Sequence, residues 1–414
     1  MTRKEIQHLL DQALPLSEKA LEYACMLQFH DLGWECANAE HESEHASPLG
    51  RQDLEEVVLT KYLSPRLQSL NPKAPKAALD QAVQFLTEDR SVMQTVVANK
   101  EIYTALKEGV KVTYLDKHGE QQTDRIKVID WKKPSNNHFL VVSQMNIRGS
   151  LGKRIPDLIG FVNGIPLLFV ELKAAHVNIK HAFDDNLRDY KDTIPHLLAY
   201  NGFCMLSNGI EAKIGSITAG WEHFAEWKKI SSEEEEGIID VNTLINGTCQ
   251  HPRFLDIIEN FIVFLEMQGG LVKILSKNHQ YLGVNNSMAA VHQLQDNQGR
   301  LGVFWHTQGS GKSISMVFFC QKVLRKVPGN WTFVIITDRK ELDEQIYQNF
   351  QNAGVINEAK VQARSTKNLR KLLSEDHRYI FTLIHKFQTD DGSEHPVLSD
   401  RNDIVVITDE AHRS

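Results

Sequence analysis

The chain has 414 residues, 42% of them hydrophobic and 24% charged, with a formal net charge of −7. That length suits two domains, each able to bury its own core. The acidic total excludes a histone-like or coat-like polycation, so any nucleic-acid contact must rest on local basic surface. The five cysteines, Cys25, Cys36, Cys204, Cys249 and Cys320, are scattered and show no CxxC spacing. Free thiols in a reducing, cytoplasmic setting fit them better than a disulfide framework or a zinc ribbon. The start, Met1 to Glu5, leads into mixed polar and apolar residues rather than a signal-peptide core. No run approaches the roughly 18 apolar residues of a membrane span, so no membrane partner is expected.

Residues from about 15 to 31 read as an amphipathic helix, ended by Gly33 before a strand that begins at Trp34-Glu35-Cys36. A second helix is expected over Arg51 to Leu70, closed by Asn71-Pro72. Val110 to Tyr114 and Ile126 to Asp130 alternate as strands do. Apolar strands over Ile155–Val162 and Ile165–Lys173 are joined by Asn163-Gly164, the strongest short-range hairpin signal. A helix around His181 to Tyr190 and a strand over Gly202 to Ser207 complete an α/β core. Ser231 to Gly237, with four consecutive glutamates, is a solvated loop. The domain change is placed between about 255 and 275, giving domains 1–260 and 261–414.

Pro156-Asp157 is followed fourteen residues later by Glu171-Leu172-Lys173, at the end of the buried strand Leu167 to Val170. Charged groups directly after four large apolar residues need a partner or an ion. Two carboxylates can hold magnesium through hard oxygen ligands, and a lysine can steady the attacking water or the developing charge of phosphodiester hydrolysis. Asp157 and Glu171 are thus candidate metal ligands and Lys173 a catalytic candidate. A two-residue turn at Asn163-Gly164 would set position 157 opposite 170, leaving the two acids on opposite faces. A shared metal therefore requires a bulge or an irregular start to the first strand, and Pro156, which cannot donate to the ladder, is the expected place. Glu55 or Glu56 is a further candidate ligand. Lys153, Arg154, Lys180, His181, Arg188 and Lys191 could neutralise phosphates and make binding salt-dependent.

From Leu301 the pattern is strand, glycine loop, helix, strand, as in a parallel nucleotide-binding sheet. Val303 to His306 reads as a strand, Thr307-Gln308-Gly309-Ser310-Gly311-Lys312-Ser313 as a loop, and Ile314 to Arg325 as a helix. Glycines turn backbone N–H groups onto phosphate oxygens, Lys312 supplies a charge for the β- and γ-phosphates, and Ser313 offers a hydroxyl to magnesium. Ile404 to Ile407 is a buried-type strand with Asp409-Glu410 at its carboxyl end, where open α/β sheets place ligands. Asp409 can reach the magnesium through water and Glu410 can polarise the attacking water. ATP and Mg2+ are the cofactors expected.

Lys312 with Asp409-Glu410-Ala411-His412 resembles motifs I and II of superfamily 2 helicases. Phe333 to Arg339, followed by Leu342, Asp343 and Gln345, resembles motif Ia, which implies contact with the DNA backbone. Lys277 to Tyr281 resembles the Q motif, which makes Gln280 the adenine reader. Pro156-Asp157 with Glu171-Leu172-Lys173 resembles the PD-(D/E)xK nuclease signature. Together with Leu49-Gly50-Arg51 upstream, the whole order is similar to the motor (R) subunit of type I restriction enzymes. The resemblance implies a restriction-endonuclease-like α/β/α nuclease domain followed by a RecA-like parallel-sheet lobe. It further implies magnesium-dependent cleavage of double-stranded DNA coupled to ATP-driven translocation, in complex with methyltransferase (M) and specificity (S) subunits. That family carries a Gln-x-x-x-Tyr motif beyond the lysine, with the glutamine needed for cleavage. Here the run is Asn186-Leu187-Arg188-Asp189-Tyr190, which assigns those catalytic positions to Asn186 and Tyr190. Because only Arg413 and Ser414 follow the second box, a truncated lobe unable to translocate by itself is expected. The rival readings are a repair or antiviral helicase with an accessory nuclease, and a degenerate DNA-binding fragment.

Overall fold

The apolar run Ile165–Leu172 is buried along its whole length and forms an interior strand of a six-stranded mixed sheet. The computed structural model describes residues 1–42, 47–116, 118–307, 309–356, 358, 360–388 and 397–409. They fall into two units, Met1–Ile262 with Lys273–Asn278, and Val263–Val272 with His279–Ser414.

In the first unit the sheet consists of β1 (Glu35–Asn38), β2 (Phe139–Ser143), β3 (Leu158–Val162), β4 (Ile165–Leu172), β5 (Phe203–Ser207) and β6 (Ala212–Gly215), in that spatial order. β1 with β2 and β4 with β5 run parallel, and the remaining pairs are antiparallel. Helix α1 (Arg3–Gln12) opens with a capping box between Thr2 and Glu5. Helix α2 (Glu18–Asp31) is capped by the Ser17 hydroxyl and packs across β1, β2 and β4. Trp34 locks the helix layer to the sheet. Its ring meets Phe29, Phe139 and Phe254 edge-on at 5.3, 5.1 and 5.1 Å, and its indole N–H donates to the Cys249 carbonyl at 2.8 Å. Each such aromatic pair contributes about 0.5–1.5 kcal/mol beyond its buried area. All five cysteines are buried and unpaired as disulfides.

Three expected elements come out differently. The helix expected from Arg51 begins only at Thr60, as α3 (Thr60–Leu70). Arg51 is buried against Glu42, and its guanidinium takes the carbonyls of Leu54, Glu56 and Asn146, which spends acceptors a helix would need. The strand expected over Ile126–Asp130 instead covers Gln121–Ile126, paired with Val110–Leu115. Beyond it, the backbone N–H groups of Lys127 and Asp130 are taken by Asn71 and Asn137 side chains, which ends the ladder.

In the second unit, β7 (Thr332–Thr337) lies between β8 (Tyr379–Leu383) and β9 (Ile404–Thr408), all parallel. The third correction is here: Val303–His306 is not a strand. The Phe304 ring instead packs on Gly283 of α5 (Asn278–His292), and the His306 ring meets His279 at 4.6 Å. Helix α6 (Lys312–Lys326) follows the glycine loop, two residues earlier than expected at its start. No helix among the described residues is long and apolar enough to cross a membrane.

Candidate active site

A β-bulge brings the two acids level. The turn at Asn163-Gly164 has both residues at positive φ, 52° and 82°, as a two-residue type I′ hairpin requires. Asn163 holds this turn by donating to the Val128 carbonyl and accepting from the His138 N–H. From the turn, Val162 pairs with Ile165 and Phe161 with Pro166, but Gly160 pairs with Leu168 and Leu158 with Val170. Leu167 is the extra residue, and the shifted ladder continues to place Asp157 across from Glu171. The irregularity that a shared cation requires is therefore present in β4, not at Pro156.

Asp157 and Glu171 are 6% and 2% exposed. Asp157 accepts the Leu172 N–H at 2.7 Å, which fixes one of its oxygens against the end of β4. Lys173 donates to Glu171 at 3.1 Å and to the Leu172 carbonyl at 3.0 Å, and lies 3.9 Å from Glu18. Burial pushes the Asp157 carboxyl up to about 6, with the Leu172 N–H opposing it. Burial, and then the Asp157 charge, raise Glu171 well above the ordinary carboxylate range. The other Glu171 oxygen, Oε2, is buried and has no hydrogen-bond partner among the described residues. Two buried acids with an unsatisfied oxygen and one ammonium bonded to Glu171 form a site short of positive charge, which is the chemistry a divalent cation completes. Among the described residues no group of three or more His, Cys, Asp and Glu side chains is arranged to hold a metal. Asp157 and Glu171 would thus supply two carboxylates and leave further positions to water or a phosphate oxygen.

The helix expected around His181–Tyr190 is present, but begins as a π-helical stretch over Ala182–Leu187 before continuing as α4 (Arg188–Thr193). Such π-turns recur at functional sites. Tyr190 is buried, packs edge-on against Phe169 at 5.6 Å, and donates to the Ile155 carbonyl at 3.4 Å. Burial, and then the nearby Glu171 charge, raise its phenol. Asn186 lies one turn before Tyr190 on the same helical stretch.

Glu55 is not at this site. Glu55 lies on the surface 3.4 Å from Arg148, and the Glu56 carbonyl belongs to the Arg51 network. Besides Glu18, whose charge acts on Asp157, α2 brings to it Glu22, buried, 3.3 Å from Lys19 and pushed up to about 7 by burial. Its sequence signal is a glutamate on the face that also carries Met26 and Phe29. Of the basic residues, Arg154 pairs with Asp189, Lys180 with Asp184 and His181 with Asp185, and Lys191 lies over the Phe183 ring. Lys153 and Arg188 are exposed.

In the second unit, Gly309 and Gly311 have φ of 78° and 89°, values that favour glycine and turn the loop toward the start of α6. Lys312 and Ser313 occupy the first turn of that helix. A Cβ on Gly311 would meet the Gln280 amide at 2.9 Å, so the loop is closed against α5. Gln280 is buried and donates to the Gly311 carbonyl at 3.0 Å and to Ser315 at 3.2 Å, while His279 meets the Ser310 carbonyl at 3.1 Å. Gln280 thus bonds the glycine loop itself. The Ser310 hydroxyl is buried without a hydrogen-bond partner among the described residues. Asp409 follows β9 directly, its N–H bonded to the Ile336 carbonyl at 2.9 Å. Glu410 and Gln308 lie outside the described residues.

Two family models match the chain, one in each unit. Residues 15–223 match the family described as type I restriction enzyme R protein N terminus, and residues 279–414 match SWI2/SNF2 ATPase. The chain is 36% identical over 96% of its length to the type I restriction enzyme HindI endonuclease subunit of Haemophilus influenzae. It is 30% identical over 97% of its length to a Methanocaldococcus jannaschii chain provisionally named the endonuclease subunit of type I restriction enzyme MjaIXP. A third relative, the type I restriction enzyme SauCOLORF180P endonuclease subunit of Staphylococcus aureus, is 25% identical over 69% of the chain. The chain spans 39%, 40% and 30% of the lengths of these three relatives. It belongs to the family of type I restriction enzyme R proteins.

Proposed function

We propose that the first unit is a Mg2+-dependent endonuclease acting on double-stranded DNA, with Asp157, Glu171 and Lys173 as its cleavage residues. The reading carries with it a restriction-endonuclease-like domain over 1–260 and a RecA-like ATPase lobe over 261–414. It places the chain in a cytoplasmic assembly with methyltransferase and specificity subunits, where ATP-driven translocation accompanies cleavage. The single observation that supports it best is the bulge at Leu167, which levels Asp157 with Glu171 beside Lys173.

Asp157 and Glu171 would hold the cation in the first unit, and Ser313 and Asp409 the cation of the nucleotide. When bound, magnesium supplies a Lewis acid for a phosphate oxygen. Lys173, already on Glu171, orients the attacking water and offsets charge as it develops on the phosphate. Asn186, one helical turn before Tyr190, offers an amide to the substrate backbone. Gly309, Ser310 and Gly311 give backbone N–H groups to the ATP phosphates, Lys312 neutralises them, and Gln280 fixes the loop that does so. Glu410 would polarise the water that attacks the terminal phosphate.

Plasmid DNA cleavage by the chain assembled with its partner subunits tests this. Asp157→Ala and Lys173→Ala should each abolish Mg2+-dependent cleavage while ATP hydrolysis persists. Undiminished cleavage by either variant would refute the assignment.

A further inference from the structure

Gln144 is one of five described non-glycine residues with positive φ, at 55°, in a region that costs energy for any side chain other than glycine. It stands immediately after β2, where the chain leaves the sheet. Two of its groups meet the site described above. Its backbone N–H donates to the Asp157 carbonyl at 3.1 Å. Its side-chain amide donates to Glu22, whose carboxyl is buried and otherwise held by Lys19. Gln144 thus joins three elements that approach the acids from different directions: the end of β2, the residue preceding β3, and the face of α2. A glycine would satisfy the backbone without strain but would leave Glu22 without its amide donor.

We propose that Gln144 is a positioning residue of the cleavage site, holding Glu22 in place beside Asp157 through its side-chain amide. This rests on the nuclease reading above. The amide carries no charge, so it fixes the Glu22 carboxyl without competing for the cation. Were Glu22 released, it could turn toward Asp157 and Glu171, adding a third negative group with no fixed place. The cost would appear in cation use and turnover rather than in folding.

The test uses the full chain in its assembled enzyme, reading Mg2+-dependent plasmid cleavage across a Mg2+ titration, with melting temperature alongside. Gln144→Gly should cleave at least about tenfold more slowly and require more Mg2+ for half-maximal rate, while melting no lower than the parent. Gln144→Glu, which sets a carboxylate against Glu22, should be slowed at least as much. Combining Gln144→Glu with Glu22→Gln restores a donor and an acceptor in reversed order and should recover the rate to within about threefold. Parental rate and Mg2+ requirement in Gln144→Gly, or a reversed pair as slow as Gln144→Glu alone, would overturn the proposal. Asp157→Ala run in parallel separates the two levels. If it too cleaves normally, the nuclease reading falls; if it is inactive while Gln144→Gly is normal, only the role of Gln144 falls.

Discussion

Replacing Asp157 by asparagine should stabilise the metal-free protein, and the size of the effect follows from its surroundings. The Asp157 carboxyl is 6% exposed and moves from 3.8 to about 6, driven first by burial. At 1.36 kcal/mol per pH unit, ionising it in the folded state costs about 3 kcal/mol. Because the folded value lies above the unfolded one, the penalty is absent below pH 3.8, grows between 3.8 and about 6, and is complete above that. Asparagine keeps an oxygen for the Leu172 N–H and removes the charge. It also relieves Glu171, which the Asp157 charge raises further. The assay is thermal melting in chelator at pH 4 and pH 8. Asp157→Asn should melt roughly 6–12 °C above the parent at pH 8, with most of that gain gone at pH 4. A variant that melts at or below the parent at pH 8, or an equal gain at both pH values, would refute the electrostatic account.

Other perturbations separate the parts. Lys312→Ala removes the charge expected on the nucleotide phosphates, and ATP hydrolysis should fall at least about 100-fold with the melting temperature unchanged. Glu55→Gln should keep plasmid cleavage within about twofold of the parent, since its side chain lies at the surface against Arg148. Gly160→Ala should lower unfolding stability by about 1–3 kcal/mol in urea titration. Its added methyl would meet Leu168 Cβ at 2.9 Å and Trp34 Cζ3 at 3.2 Å.

What could be read from the sequence was local. Asn163-Gly164 between apolar runs specified the hairpin, and the glycine loop specified the start of α6, because neighbouring residues alone decide both. The need for a bulge followed from counting across the turn, but its place did not. Leu167 looks like any other buried strand residue, and only packing against β5, where its carbonyl takes the Gly202 N–H at 2.7 Å, distinguishes it. Val303–His306 alternates like a strand, yet its aromatic rings find Gly283 and His279 on α5 instead. Glu22 and Gln144 were missed for the same reason. They come from segments 122 residues apart, and neither belongs to a local motif.

The account stands on Asp157 and Glu171 sharing one cation. A crystal of the chain grown with Mn2+ in place of Mg2+ tests it directly through the anomalous signal. One peak within about 2.5 Å of a carboxylate oxygen from each residue is the predicted result. A peak touching only one of them, or none between them at saturating Mn2+, would contradict it.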